Sequence, residues 1–258
     1  MDNSLARDSQ IQFLRPEEIE ARIKNFPAVF VPMGPIEWHG KHLPLGTDAL
    51  KAHAICVKAA ERCGGCVYPP IYFHDGFNLE HLEPLLTELY DKLRCMGFKV
   101  IIGISGHNVP GMIDMMNRSL KPVIDSEELD LKSRIQKPNS PNSIAGVGDW
   151  EFTLADDEEN CASDHAAKWE TSDMMFFYPD CVDIAALGTE TFALDMSAPY
   201  GIGGMDPREH ASPELGEKKA DLASAAIAAK AQELFEGLSQ EAKDKDTGAI
   251  TPENWWIV

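Results

Sequence analysis

The feature that most constrains the fold is a regular alternation of short apolar runs with longer amphipathic stretches. Apolar, β-rich runs predict buried strands at 28–33, 66–73 and 99–104. Apolar residues at helical spacing predict helices at 48–63, 82–97 and 108–120, the last with Asn108 as its cap and Pro110 in its first turn. This order of elements is typical of a parallel sheet with helices on its faces.

The predicted fold class is therefore α/β, a three-layer α/β/α sandwich around a mostly parallel sheet. The 258 residues are 44% hydrophobic, which is enough for a sizeable core, and we expect a single domain over 1–258. Further helices are predicted at 163–179 and at 213–238, the second mildly broken by Gly216. The loop-rich segment 137–160 has room for a strand, a short hairpin or a flap.

The charge balance argues against two classes of partner. The chain carries 23 Lys and Arg against 42 Asp and Glu, a net charge of −19. Broad surfaces that bind nucleic acid or anionic membrane need Lys and Arg for phosphate contacts, so we expect neither partner. We also expect a cytoplasmic protein, because the sequence has no apolar run of ~18 residues and no signal-peptide pattern at its N-terminus.

The six cysteines include one Cys-x-x-Cys pair, formed by Cys63 and Cys66. There is no second pair to complete a four-thiolate zinc site. The pair follows a predicted helix and leads into a strand, whereas a thioredoxin-like pair opens a helix. We therefore interpret it as a glycine turn flanked by semi-buried thiols.

Chemistry-bearing side chains concentrate after the first strand, in GPIEWHGKHLPLGTDAL at 34–50. This stretch contains Glu37, His39, His42 and Asp48, and His107 follows the third strand in GISGHN. In open parallel sheets the carboxyl ends of the strands collect the functional groups, so these residues are expected to meet there. Imidazole nitrogen and carboxylate oxygen are ligands of Zn²⁺ and Mn²⁺, which favours a metal site over a polar surface loop.

Four blocks of the sequence resemble the creatininase-like amidohydrolases. PMGPIEWHGKHLPLGTD resembles the family signature Glu-x-His-Gly-x-His-Leu-Pro followed by Asp, and GISGHN is similar to its Asn-Gly-His. DHAAKWETS at 164–172 resembles His-Ala-Gly-x-x-Glu-Thr-Ser, and GIGGMDPREHASPELG resembles the glycine-rich segment before the final helix. The blocks cover most of the chain in the right order, so it is identified as a member of this family.

The resemblance implies a creatininase-like fold with a binuclear site for two divalent ions, Zn²⁺ or Mn²⁺, with Fe²⁺ also suitable. The ligands of the first ion would be Glu37, Asp48 and His107. Those of the second ion would be His39, Glu170 and the bridging Asp48. His165 takes the family's proton-transfer position, which suits an imidazole. The implied activity is hydrolysis of a C–N bond in a small amide, cyclic amide or formamide by a metal-bridging hydroxide.

Two departures from the family pattern bear on the substrate. Creatinine hydrolases carry a glutamate ligand two positions after the histidine at 107, where this chain has Val109, so Glu170 is expected to serve instead. The chain also lacks the family's Phe-Pro-Gly-Thr segment near 73–82, which removes part of the pocket wall and argues against creatinine. A dimetal lactonase, or a sugar-acid or keto-acid enzyme, stays open as an alternative, as does a non-catalytic binding or assembly protein.

The remaining expectations concern supporting residues and association. His42 is expected to support the ligands from behind, and His53 to be structural. The expected partners are a small-molecule substrate and further copies of the chain, because family members commonly assemble, with a hexamer among the possibilities. The apolar WWIV end supports association, since an exposed patch of that kind favours burial.

Overall fold

A computed structural model describes residues 5–109, 111–125, 144–148, 164–189 and 201–244. Within them lies a five-stranded sheet in which every pairing is parallel. Its strands are β1 (Ala28–Ile36), β2 (Cys66–Val67), β3 (Ile71–His74), β4 (Val100–Ser105) and β5 (Ile144–Gly148). Both β2 and β3 pair with one side of β1, β4 pairs with the other side, and β5 pairs with β4.

Helices cover both faces of this sheet. They are α1 (Pro16–Asn25), α2 (Thr47–Cys63), α3 (Leu79–Cys95), α4 (Met112–Asp125), α5 (Lys168–Phe177), α6 (Pro207–His210), α7 (Pro213–Glu236) and α8 (Gln240–Asp244). Short 3₁₀ turns occupy Ile11–Phe13, Pro179–Cys181 and Ile184–Leu187. The predicted α/β class, with helices on both sides of a mostly parallel sheet, is confirmed.

The apolar strand runs are buried because each face of the sheet has its own core. Phe30 and Ile102 pack toward α2 and α7. Their neighbours Val31 and Ile101 point to the opposite face, toward α3 and α4. Strands buried on both faces favour continuous apolar sequence over alternation, which is why β1 and β4 were recognisable from sequence.

Three predicted boundaries were wrong for local reasons. The strand at 66–73 is two strands, because Pro69 and Pro70 interrupt its hydrogen-bond ladder. Helix α4 begins at Met112 and not at 108, since Gly111 has a φ of +85°, outside the helical region, so Asn108 is not its cap. Helix α5 begins at Lys168, after 164–167 form a turn of their own.

Two further helices differ from expectation. Helix α3 starts at Leu79, where the Asn78 side chain accepts a hydrogen bond from the backbone N–H of Glu80 at 3.0 Å. Helix α7 is continuous through Gly216, and a Cβ at that position would lie 2.0 Å from the carbonyl oxygen of Ser172. Gly216 therefore allows α5 and α7 to pack backbone against backbone.

A buried ion pair between Asp173 and Lys219 further joins α5 to α7. The strand expected within 137–160 corresponds to β5, while the rest of that segment and the WWIV end lie outside the described residues. In the part of the chain that the structure describes, none of the helices has the length and apolarity to cross a membrane.

Candidate metal centre

The loop after β1 carries Glu37 and His39 to the carboxyl edge of the sheet. The backbone N–H of Glu37 donates to the carbonyl of Leu45 at 3.0 Å, which closes 37–45 into a compact loop. His39 is fully buried beneath it, at 0% exposure. A buried imidazole beside buried carboxylates is costly unless it is paired or binds a cation, so this burial marks the loop as a site.

Asp48 reaches the same place because two glycines let the N-terminus of α2 approach the sheet. A Cβ on Gly106 would lie 2.1 Å from the carbonyl oxygen of Asp48, and one on Gly34 would lie 2.5 Å from its Cβ. Gly34 lies in β1 and Gly106 directly follows β4. Asp48 is thereby placed between the ends of the two central strands and is 1% exposed.

His107 faces two carboxylates at the end of β4. Its Nδ1 lies 2.9 Å from Glu37 Oε1 and 3.1 Å from Asp48 Oδ2. Both oxygens are buried, yet neither has a partner in hydrogen-bonding geometry. Short contacts without hydrogen-bond alignment are expected of atoms that converge on a shared cation, and Glu37, Asp48 and His107 offer ligand atoms within 4.8 Å of one another.

A second group shares Asp48 and lies deeper. His39 Nε2 is 3.1 Å from Asp48 Oδ1 and 3.4 Å from Glu170 Oε2, and these three residues also offer ligand atoms within 4.8 Å. The two groups use different oxygens of Asp48, which is the geometry of a bridging carboxylate. All five predicted ligands are thus brought together from four segments of the chain.

The turn before α5 positions Glu170. The Asp164 carboxylate accepts hydrogen bonds from the backbone N–H groups of Trp169 and Glu170, at 3.1 and 3.0 Å, and so satisfies two donors in the first turn of the helix. Ala166, at a φ of +52°, directs its backbone N–H to Glu170 Oε2 at 2.7 Å. A non-glycine residue in this conformation is uncommon, and here it fixes one oxygen of Glu170.

His165 lies at the rim of the cluster. Its ring is 4.6 Å from that of His39, centroid to centroid, and its Nε2 is 2.9 Å from the carbonyl oxygen of Trp38. With Glu37 and His39 it forms a third group of ligand atoms within 4.8 Å. Trp38 is 61% exposed, so the rim combines a half-buried imidazole with an open indole face.

Sequence reasoning missed Lys51. Its ammonium Nζ lies 2.8 Å from Glu170 Oε1 and 4.0 Å from Asp48 Oδ1, and the residue is 4% exposed. The available signal was its spacing: Lys51 is one helical turn beyond Asp48, among alanines that face the core. A lysine on an otherwise apolar helix face needs a buried partner, and that partner is Glu170.

The pKa values show how the charges of the cluster balance. Burial works against the charged forms of His39 and His107, but the neighbouring carboxylates outweigh it and raise their pKa values to about 9 and about 10. Burial also opposes ionisation of Asp48, yet the charge of His39 and contacts with His107 hold its pKa well below the usual range. Burial, with the charge of Asp48, raises the pKa of Glu37. The carboxylates of Glu37, Asp48 and Glu170 lie close together, so the cluster is stabilised by positive charge nearby.

His42 and His53, which were expected to be supporting residues, are both buried. His42 Nε2 contacts Thr171 Oγ1 at 2.9 Å, behind the ligands, and burial lowers the pKa of His42 to about 4. Burial alone lowers the pKa of His53 to about 4, in keeping with a neutral structural residue. Burial raises the pKa of Cys66 to about 12, so this thiol of the Cys-x-x-Cys pair is not a reactive thiolate.

The structure shows the surroundings of Val109 and of the connection between β3 and α3, where the sequence departs from the family pattern. Val109 packs against the apolar core between the sheet and α3, so it leaves the cluster to other ligands. Only residues 75–78 connect β3 to α3. The connection is short, and Tyr72 and Phe77 beside it are 42% and 45% exposed.

The fold and this cluster define an α/β protein with carboxylates and imidazoles grouped at the carboxyl edge of its sheet, a donor set suited to divalent cations. The family model for creatininase, described as creatinine amidohydrolase, matches residues 12–231. The chain therefore belongs to the creatininase family, and it is an amidohydrolase, as the resemblance implied.

Among curated relatives, the creatinine amidohydrolase of Pseudomonas putida is 25% identical over 222 residues, which cover 76% of this chain and 82% of that protein. The mycofactocin precursor peptide peptidase of Mycolicibacterium smegmatis is 34% identical over 98 residues, 31% of this chain and 39% of that protein.

Two solved structures show the same fold at low sequence identity. A mutant creatininase of Zn-Zn type is 20% identical, covers 89% of this chain and 99% of its own, and has a TM-score of 0.70. A structure described as creatininase with Mn is 21% identical, and the match covers 88% of this chain and 98% of that one, with a TM-score of 0.68.

Proposed function

We propose that the chain is a two-metal hydrolase that cleaves the C–N bond of a small amide, cyclic amide or formamide. The observation that carries the proposal is the pair of ligand groups that share Asp48, one through each carboxylate oxygen. A carboxylate presented in this way can join two ions ~3.5–4 Å apart, as two-metal hydrolases require. The creatininases of Zn-Zn type and of Mn, which share this fold, support Zn²⁺ or Mn²⁺ as the ions.

Glu37, Asp48 and His107 would hold the first ion, and His39, Asp48 and Glu170 the second. Such ions, when bound, make water nucleophilic near neutral pH and polarise the carbonyl that it attacks. The protein's own contribution is orientation: the glycines at 34 and 106 fix Asp48, and the turn at 164–167 fixes Glu170. The buried histidines must lose their protons to become ligands, so binding an ion releases protons.

His165 would transfer the proton to the leaving nitrogen. Because a carbonyl oxygen can only accept a hydrogen bond, Nε2 carries the hydrogen that points to Trp38, and Nδ1 is the atom left for proton transfer. The same contact holds the ring beside His39, within reach of a group bound at the cluster. His165 thus combines a fixed tautomer with a position at the open rim.

The short connection at 75–78 and the open rim support a substrate other than creatinine. The relative from Mycolicibacterium smegmatis is named as a peptidase and the one from Pseudomonas putida as a creatinine amidohydrolase, so relatives of this chain differ in substrate. Lactone or keto-acid chemistry would use the same ions, and a substrate screen separates it from amide hydrolysis. The expected cytoplasmic location, single domain and homo-oligomer stay predictions.

The test combines metal content with a substrate screen. Purified protein should contain two Zn²⁺ or Mn²⁺ per chain after reconstitution, and Asp48→Ala should remove both, because Asp48 belongs to both groups. Chelation should abolish the release of ammonia or an amine from a panel of amides, cyclic amides and formamides. Folded protein that takes up no transition metal would refute the proposal. Lactone opening without amine release would replace the amide reaction with the alternative.

A further inference from the structure

Lys51 places an ammonium group, paired with Glu170, directly beside one of the two ligand groups. Its ammonium is 2.8 Å from Glu170 Oε1 and 4.0 Å from Asp48 Oδ1, so it contacts two of the three residues that would hold the second ion. It projects from the same helix as Asp48, one turn further on, and is 4% exposed. An ion entering the deeper group therefore meets an ammonium that is already paired with its carboxylates.

Lys51 lowers the net negative charge that the cluster offers to incoming divalent ions. Glu37, Asp48 and Glu170 supply the ligand oxygens, and the Asp164 carboxyl lies beside them on the backbone N–H of Glu170. Lys51 opposes these acidic groups with one ammonium. A second ion would add two positive charges close to a buried ammonium, where screening by solvent is weak.

Glu170 remains oriented without Lys51. Its Oε2 accepts a hydrogen bond from the backbone N–H of Ala166 at 2.7 Å and lies 3.4 Å from His39 Nε2. The Asp164 carboxylate holds the first turn of α5 through the backbone N–H groups of Trp169 and Glu170. Loss of the ammonium would therefore remove its repulsion toward an incoming ion while the Glu170 carboxylate stays in place. Removing the charge of Lys51 is thus expected to tighten binding of the second ion.

We propose that Lys51 makes the two metal positions unequal, because its ammonium competes with the second ion for Glu170 and Asp48. This inference rests on the proposed function, since it concerns the same pair of positions. The ion at Glu37, Asp48 and His107 binds first and tightly. The ion at His39, Asp48 and Glu170 binds more weakly and exchanges more readily.

The experiment titrates metal-free protein with Mn²⁺ and follows free Mn²⁺ by electron paramagnetic resonance. The wild type is compared with Lys51→Met, which keeps the length without the charge, and with Lys51→Arg, which keeps the charge. In the wild type we expect the second ion to bind at least about tenfold more weakly than the first. Lys51→Met should tighten binding of the second ion by roughly tenfold, because it removes the repulsion between the ammonium and that ion, and Lys51→Arg should not.

Folding of each variant is checked by circular dichroism, and Lys51→Gln, polar and uncharged, is carried in parallel with the same expected result as Lys51→Met. Two ions of equal affinity in the wild type would overturn the inference and leave the two-metal proposal standing. An unchanged ratio in folded Lys51→Met or Lys51→Gln would do the same. Wild-type protein that binds no Mn²⁺ would overturn the proposed function and this inference with it.

Discussion

The contact between Gly106 and the backbone of Asp48 offers a direct test of how the site is assembled. An alanine Cβ at 106 would lie 2.1 Å from the carbonyl oxygen of Asp48, whereas ordinary contacts begin near 3.4 Å. The N-terminus of α2 and the end of β4 must therefore separate by about 1.3 Å. Neither partner is a flexible side-chain end, so the backbone itself has to move.

Gly106→Ala is expected to weaken both stability and metal binding. Forced overpacking of this kind costs about 1–3 kcal/mol of unfolding free energy. Displacing Asp48 by about 1 Å should also weaken binding of both ions by about tenfold to a hundredfold, because Asp48 contributes an oxygen to each group. Thermal melting and Mn²⁺ titration of the same samples measure the two effects.

Gly64→Ala is the matched control, because Gly64 ends the same helix at its far end, roughly 24 Å from Asp48. Gly64 has a φ of +87°, so alanine there should cost about 1–2 kcal/mol of stability. It should leave the Mn²⁺ affinity of the folded protein unchanged. Gly106→Ala protein with wild-type melting and wild-type affinity would refute the close approach of Asp48 to the sheet.

Three further predictions concern the histidines and the buried ion pair. His165→Ala should keep both ions, as measured by elemental analysis, and lose most of its turnover. His39→Ala should instead lose a bound ion, and its activity with it. Near-full activity of His165→Ala would exclude the proton-transfer role of His165. In metal-free protein, the pKa values of His39 and His107 are raised to about 9 and about 10, above the ordinary ~6.5. The stability that their protonated forms contribute is therefore complete below pH ~6.5 and is lost as the pH rises through 9–10. Melting should therefore fall between pH 7 and pH 10, and an unchanged melting temperature would contradict the raised pKa values. Lys219→Met alone should lower the free energy of unfolding, measured in urea, by about 3–5 kcal/mol, because it leaves Asp173 charged and buried. Combining it with Asp173→Leu should restore much of that stability. Purely additive losses in the double variant would argue against the ion pair.

The sequence by itself determined the family, the α/β class and the types of side chain at the site. Strands β1 and β4 were recognisable because both of their faces are buried, which leaves an uninterrupted apolar run. Glu37, His39 and His107 could be placed at one edge because parallel strands end on the same side of a sheet. These inferences depend on local pattern and on rules of topology, and neither requires coordinates.

Only the tertiary structure decided what each of these side chains meets. The pairing of Lys51 with Glu170 joins residues more than a hundred positions apart, and no periodicity encodes such a contact. The start of α4 depended on the conformation of Gly111, and the place of Asp48 depended on how closely two glycines let a helix approach the sheet. Local sequence sets which groups are available, whereas distances, burial and charge balance arise from packing between elements that are remote along the chain.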